Sequence, residues 1–244
     1  MHTPAIFAEE NLENIIGFIA ANPLATLVAQ TKDGIEACHI PLFWHNDNFM
    51  PDASVGVGVG VGVGVGVGVG VGVGSDINSN AQHGYLYGHF GRKNPIYQNT
   101  LPDTAWLIIF QDSGHYISPN WYPSKAKTHK EVPTWNYQSV HIQSKIELLE
   151  DADTLKWILA TMTARQEVLS DHPWSLDEAP ATYIDAMCQG IIGFKLPIDS
   201  IQAQFKLSQN KTVENITGVI NGLAQLKTND AAEMAMKVAN QNNG

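Results

Sequence analysis

Cysteine, charge and long apolar runs are all scarce in this 244-residue chain, and each scarcity excludes something. The two cysteines, Cys38 and Cys188, form no CxxC pair and no metal-ligand spacing. Neither a disulfide framework nor a zinc site is therefore expected, and both read as buried thiols in a reducing compartment. The histidines at 39, 45, 83, 89, 115, 129 and 141 are scattered without ligand spacing, so no metal is expected. There is no GxSxG elbow, no Walker loop and no HExxH, which removes the common hydrolase, nucleotide-triphosphate and zincin readings. No apolar stretch approaches the roughly 20 residues of a membrane span. The opening residues also lack the basic and apolar regions of a signal peptide, so a cytoplasmic protein without a membrane partner is expected. Basic residues are outnumbered, 14 against 24 acids, for a net charge of -10. That balance argues against a broad nucleic-acid face.

What is present is 44% hydrophobic residues, enough for a sizeable core. The pattern predicts strands with added helices. Residues 8–21 carry Leu12, Ile15, Ile16 and Ile19 at helical spacing, and Asn22-Pro23 ends that helix. Residues 24–31 and 35–44 read as a hairpin turned on Lys32-Asp33-Gly34. Strands are expected again at 85–90 and 105–112, with Trp106–Phe110 central and an extension past a kink at Gly114. A further strand is expected at 139–149. A helix at 151–169, capped by Asp151 or Asp153, carries the stripe Leu155, Ile158, Leu159 and Met162. A short helix at 180–189, strands at 191–196 and 201–207, and helices at 212–226 and 230–238 complete the reading. Gly218 and Gly222, four apart, are expected to let their helix approach a neighbour closely. Without a regular β-α-β alternation, an antiparallel barrel with helices is favoured over a doubly wound sheet.

A pure Val-Gly repeat fills residues 55–74. Its alternation mimics a strand, but half its residues are glycine, which orders at high entropic cost and packs nothing. It reads as a disordered loop insertion spanning 46–82 in a single domain over 1–244, with a C-terminal helical extension. Length in a loop is cheap, because closure entropy grows only logarithmically.

Three places combine cations, amides and rings. Gly88-His89-Phe90-Gly91-Arg92-Lys93-Asn94-Pro95 puts two cations and an amide at a strand end, a candidate phosphate grip. The aromatic and locally basic stretch Gly114–Tyr137 contains Ser118-Pro119-Asn120-Trp121-Tyr122 and Val132-Pro133-Thr134-Trp135-Asn136-Tyr137. Trp121 and Trp135 are candidates to flank a planar ring, with Thr134 and Asn136 at its polar edge. Lys206-Leu207-Ser208-Gln209-Asn210-Lys211 sets two lysines at a helix start, which an anion would balance. The competing reading of each is a solvated turn, a helix cap or a loop pinned by its own rings.

Taken together, and in order, the stretches PAIF, GHFGRKNP, HYISPNWY, EVPTWNY and KLSQNK resemble the FMN-binding negative transcriptional regulators of the PaiB type. The resemblance implies an α+β, mainly β fold, the FMN-binding split β-barrel with peripheral and C-terminal helices. It implies FMN as cofactor and a homodimer with FMN near the subunit interface. It also implies a regulatory role toward genes, with DNA or a protein as partner; the net charge and the lack of a helix-turn-helix weigh against direct DNA contact. Cofactor contacts are then expected from His89, Arg92, Lys93, Asn94, Ser118, Trp121, Thr134, Trp135, Asn136, Lys206, Ser208 and Gln209. No residue is assigned a catalytic role. The rival from another class is an FMN-dependent oxidoreductase acting on a small molecule with a nicotinamide; a sensor without turnover is the third.

Overall fold

The computed structural model describes residues 1–46 and 81–242, so the Val-Gly repeat and nearly all of the expected insertion lie outside the described residues. A short strand, β1 (Ala8–Glu9), precedes helix α1 (Leu12–Ala21). The helix starts later than the periodicity predicts. Asn11 caps it, its side chain accepting from the Glu13 amide at 2.9 Å, while Ala8 and Glu9 pair with a distant strand. Strands β2 (Leu24–Thr31) and β3 (Gly34–Pro41) form the expected hairpin, with Gly34 at φ +122°. The strand expected to run on to Trp44 breaks at Leu42, whose amide donates to Pro23 O, and resumes as β4 (Phe43–His45) in a different sheet.

After the undescribed segment come β5 (Tyr85–Gly91), α2 (Pro95–Asn99), β6 (Trp106–Gln111) and β7 (His115–Ile117). Helix α3 (Ser124–Thr128) is followed by β8 (Thr134–Ser144) and β9 (Glu147–Leu149). The sequence pattern predicts one strand over 139–149, but β8 begins five residues earlier, taking in the motif Thr134–Tyr137, and ends at Ser144, with β9 paired in the other sheet. Pairing on both sides explains the extension: Tyr137 lies opposite Lys206, and Asn136 opposite His115. Then come α4 (Ala152–Gln166), α5 (Ala181–Gln189), β10 (Ile191–Pro197), β11 (Ser200–Lys206), α6 (Val213–Leu226) and α7 (Asn229–Asn242). Asp151 is the cap of α4, accepting from the Thr154 amide at 2.8 Å.

The larger sheet runs β1-β11-β8-β6-β2-β3, with β7 added on β8; the smaller runs β4-β5-β10-β9. Every pairing is antiparallel. The two sheets do not close into a full barrel, which is the split form of the architecture. Their facing sides share one core, with Leu27, Ile108, Val140 and Ile142 from the larger sheet and Leu86, Phe90, Phe194 and Leu196 from the smaller. Trp106, in the run expected to be central, is fully buried.

The far side of each sheet differs. On the smaller sheet, Tyr85 and Tyr87 turn away from the shared core toward α4 and pack with Phe43 and Ile158 as a second cluster. On the larger sheet, Leu24, Thr26 and Val28 of β2 and Leu107 and Ile109 of β6 alternate with core residues and face outward. Leu24 is 63% exposed and Ile35 is 75% exposed on that face. Helix α6 lies against the turn at Pro119–Trp121, and α7 packs beside it. A side chain at Gly222 would sit 2.3 Å from the Trp121 ring, and one at Gly218 would sit 2.1 Å from the Trp121 carbonyl oxygen. The glycine spacing thus serves the close approach expected of it.

Candidate functional site

Two clefts hold most of the chemistry. The larger, about 1090 Å³, lies between α4 and the ends of β4 and β5. Its walls include Phe43, His45, His89, Trp157, Met162, Arg165 and Trp174. Strand alternation explains His89: it follows Tyr85 and Tyr87 on the α4 face of β5, while Leu86, Gly88 and Phe90 face the core. Burial pushes the His89 imidazole below its ordinary 6.5, so it is neutral at pH 7. Its Nδ1 is buried without a hydrogen-bond partner among the described residues. A buried polar atom left unpaired carries a desolvation cost, and a ligand that bonds it removes that cost.

Just past His89 the strand ends in Arg92-Lys93-Asn94. The Arg92 amide donates to Gly190 O at 2.8 Å, and its Nε donates to Gln189 O at 3.2 Å. Its guanidinium also lies 3.7 Å from the exposed Glu150 carboxylate, a pair of little energetic weight at the surface. Lys93 is exposed. The Asn94 side chain caps α2 by accepting from the Ile96 amide at 3.1 Å. One cation of this turn is therefore tethered, one is exposed, and the amide side chain is used locally.

The smaller cleft, about 390 Å³, lies on the outer face of the larger sheet. Trp135, Tyr137, Ser139 and His141 line it at every second position of β8, with Gln111, Ser113, Gly114 and Met1. Trp135 is 53% exposed and meets Tyr116 edge-on, ring centroids 6.3 Å apart. Burial and the N-terminal charge push His141 below the ordinary histidine value. Lys206 reaches Thr134, donating from Nζ to Oγ1, and burial pushes its pKa down.

The other predicted residues form a different assembly. Asn136 is buried on the opposite face of β8 from Trp135, bonded to the Ser208 hydroxyl at 2.9 Å. Ser208 takes φ +68° to make that corner. Gln209 folds back, accepting from the Leu207 amide at 2.7 Å and donating to Phe205 O. Ser118 accepts from the Asn120 amide at 3.2 Å. Trp121 lies beside His115 and against Gly222, on the Asn136 side of the β7–β8 ribbon. Within one chain, Trp121 and Trp135 therefore do not face each other across a ring.

The twelve predicted residues thus fall into two groups. His89, Arg92, Lys93 and Asn94 belong to the smaller sheet and its turn. Ser118, Trp121, Thr134, Trp135, Asn136, Lys206, Ser208 and Gln209 belong to the larger. Among the described residues, no hydrogen bond, ion pair or ring contact joins the groups. Phe43, Trp157 and Arg165 of the larger cleft carry no motif in the sequence, although Leu159 and Met162 of the predicted α4 stripe do line it. Tyr137, Ser139 and His141 were legible by strand alternation once β8 was known to begin at Thr134.

An open split barrel of antiparallel strands, with ring-walled clefts and an unpaired imidazole nitrogen, defines a class that comparison makes specific. The chain belongs to the family described as "Putative FMN-binding domain", whose family model matches residues 1–200, and its cofactor is FMN. It is 29% identical over 235 residues to the "Protease synthase and sporulation protein PAI 2" of Bacillus subtilis (strain 168), covering 96% of this chain and 95% of that protein. It is 38% identical over 89 residues to YKL070W of Saccharomyces cerevisiae, 36% of this chain and 52% of that one. Among solved structures, the flavocytochrome Anf3 of Azotobacter vinelandii superposes with a TM-score of 0.52 at 12% identity, covering 84% of this chain and 72% of that one. Rv2991 of Mycobacterium tuberculosis gives 0.52 at 10% identity, covering 87% and 94%. These last likenesses, at such low identity, show a shared fold alone. No helix among the described residues is long and apolar enough to cross a membrane.

Proposed function

We propose that the chain is an FMN-binding, homodimeric negative regulator of transcription, responsive to flavin or its redox state and acting through a partner in place of direct DNA contact. The observation that carries the flavin site is His89: a buried, unpartnered nitrogen facing a ring-walled cleft, three residues before the Arg92-Lys93 pair. In this reading the His89 end of the larger cleft holds the flavin. Arg92 and Lys93 hold the phosphate. A second copy supplies its outer sheet face, with Trp135, Tyr137, Ser139 and His141, as the cover. Leu24 and Ile35, apolar and exposed on that face, fit a surface that a partner covers. Such a dimer brings together the two groups of residues that one chain keeps apart. Bound FMN supplies reversible electron transfer; the chain's own contribution is to bind it, orient it and limit water.

The regulatory role is supported by likeness to PAI 2 along nearly all of both chains. A net charge of -10 supports action through a partner. The second reading, an FMN-dependent oxidoreductase using a nicotinamide, is favoured by one observation: the larger cleft, at about 1090 Å³, is at or above the usual range of about 300–1,000 Å³ for a single-ligand pocket.

The absorption spectrum of the protein as purified tests the cofactor; a flavin spectrum is expected. In a fluorescence titration, Arg92→Ala is expected to weaken FMN at least tenfold, and equal affinity would remove the phosphate assignment. Oxidation of NADH or NADPH in the presence of an acceptor would favour the oxidoreductase. Salt-resistant retention of a promoter fragment by the protein alone would overturn action through a partner.

A further inference from the structure

The larger cleft has a cation that no described residue neutralises. Arg165, in the last turn of α4, lays its guanidinium over the Phe43 ring, 5.0 Å from the centroid. Among the described residues it has no ion pair and no hydrogen bond. The one acid among the described residues of this lining is Glu167, and that carboxylate accepts from the Trp174 amide at 3.2 Å. Although the side chain reaches solvent, partial burial against Phe43 pushes the guanidinium below its ordinary pKa, a cost that a bound anion would reverse. The surrounding walls are rings and thioether: Phe43, Trp157, Trp174 and Met162. His45 and His89 are the other titratable groups lining the cleft, and His89 is held neutral.

We infer that the Arg165 end of this cleft binds a small aromatic carboxylate, its carboxylate on the guanidinium and its ring against the Phe43–Trp157 wall. The guanidinium fork matches a carboxylate through two parallel hydrogen bonds, and its other face already lies on a ring. A lysine in its place would offer a point charge without the fork. The cleft volume leaves space for a second planar group besides the one at His89. The inference deepens the flavin reading, since it places a second ligand in the flavin's cleft and makes that ligand an anion with a flat ring.

Benzoate is the probe, titrated calorimetrically into the FMN-loaded protein and into the flavin-free protein, with benzyl alcohol as the neutral match. Wild type is expected to bind benzoate, and Arg165→Gln to weaken it at least tenfold. Arg165→Lys is expected to recover only part of that loss, and benzyl alcohol to be insensitive to either change. FMN affinity is expected to stay within twofold in both variants. Absence of benzoate binding by wild type, or equal binding by folded Arg165→Gln, overturns the inference. So does a tenfold loss of FMN in either variant, which would give Arg165 to the flavin. Arg165-dependent benzoate binding in a protein that takes up no FMN would sustain the inference while removing the flavin reading. Should Arg165→Gln fail to fold, Arg165→Lys decides alone: benzoate affinity equal to wild type overturns the inference.

Discussion

Glu131 closes the aromatic and basic segment that dominates the middle of the sequence. Its carboxylate takes the Lys211 ammonium at 2.6 Å, the Ser124 hydroxyl at 2.7 Å and the Asn215 amide at 3.3 Å. Lys211 lies over the Tyr122 ring, 4.4 Å from its centroid. The Lys211 and Ser124 hydrogen bonds hold the Glu131 pKa below its ordinary 4.5. A depressed folded-state pKa contributes stability that is present above the unfolded value and lost as pH falls through the folded one. Glu131→Gln is therefore expected to cost about 1–2 kcal/mol at pH 7, the scale of hydrogen bonds to a charged group. Urea midpoints of the two proteins should converge as pH drops from 5 toward 3. A gap that persists unchanged at pH 3 would assign the loss to packing.

The same scale shows why part of the candidate site was not legible. Asn, Ser and Gln near a strand end suit a ligand's polar edge and suit a chain corner equally well. Asn136, Ser208 and Gln209 have their polar atoms taken up by one another or by backbone, and nothing in the order of residues tells that the partner is 72 positions away. His89 was legible as part of GHFGRKNP. Its orphaned nitrogen was not, because burial depends on α4, more than sixty residues further along the chain.

Among elements, α6 is where sequence spacing and packing agree most closely. Its two glycines form the flat strip on which Trp121 and its carbonyl rest. Gly222→Ala is expected to destabilise by about 2–3 kcal/mol, as an added methyl forces the indole or the helix to move. The control is Gly17→Ala in α1, where an added Cβ meets nothing within 4 Å. There a gain of about 0.5–1 kcal/mol is expected from helix propensity alone. Equal effects at both sites, read from denaturant midpoints, would remove the packing account. The helices were legible because caps and apolar stripes are local. Strand β8 was mislocated because Trp135 and Tyr137, exposed or half-buried beside a proline, resemble loop residues until pairing with β7 and β11 is known.

For the whole molecule, a β-rich fold with added helices and the order of its longer elements were readable from the sequence, while β1, β4 and β9 as separate strands were not. The division into two sheets was not. It turns on Leu42, where a run that reads as one strand changes sheets, and on pairings such as Ile191 with Gly91 that are set by tertiary packing. The Val-Gly repeat lies outside the described residues, yet the residues that flank it are informative. His45 pairs directly with Tyr85, and the Trp44 indole donates to His83 O at 2.8 Å. The connection therefore leaves and re-enters at adjacent points of one hairpin. Deleting Val55–Gly74 is expected to leave the thermal midpoint within about 2 °C and FMN affinity within twofold, since loop length costs little. A large fall in either would show that the repeat contributes contacts.

That hairpin mouth is also a port for engineering. His45 belongs both to the pair that spans it and to the wall of the larger cleft. A compact fluorescent domain with neighbouring ends, spliced in place of the repeat, would sit at the rim where a ligand enters. Its emission would turn cleft occupancy into an optical signal, with the native strands as the rigid frame.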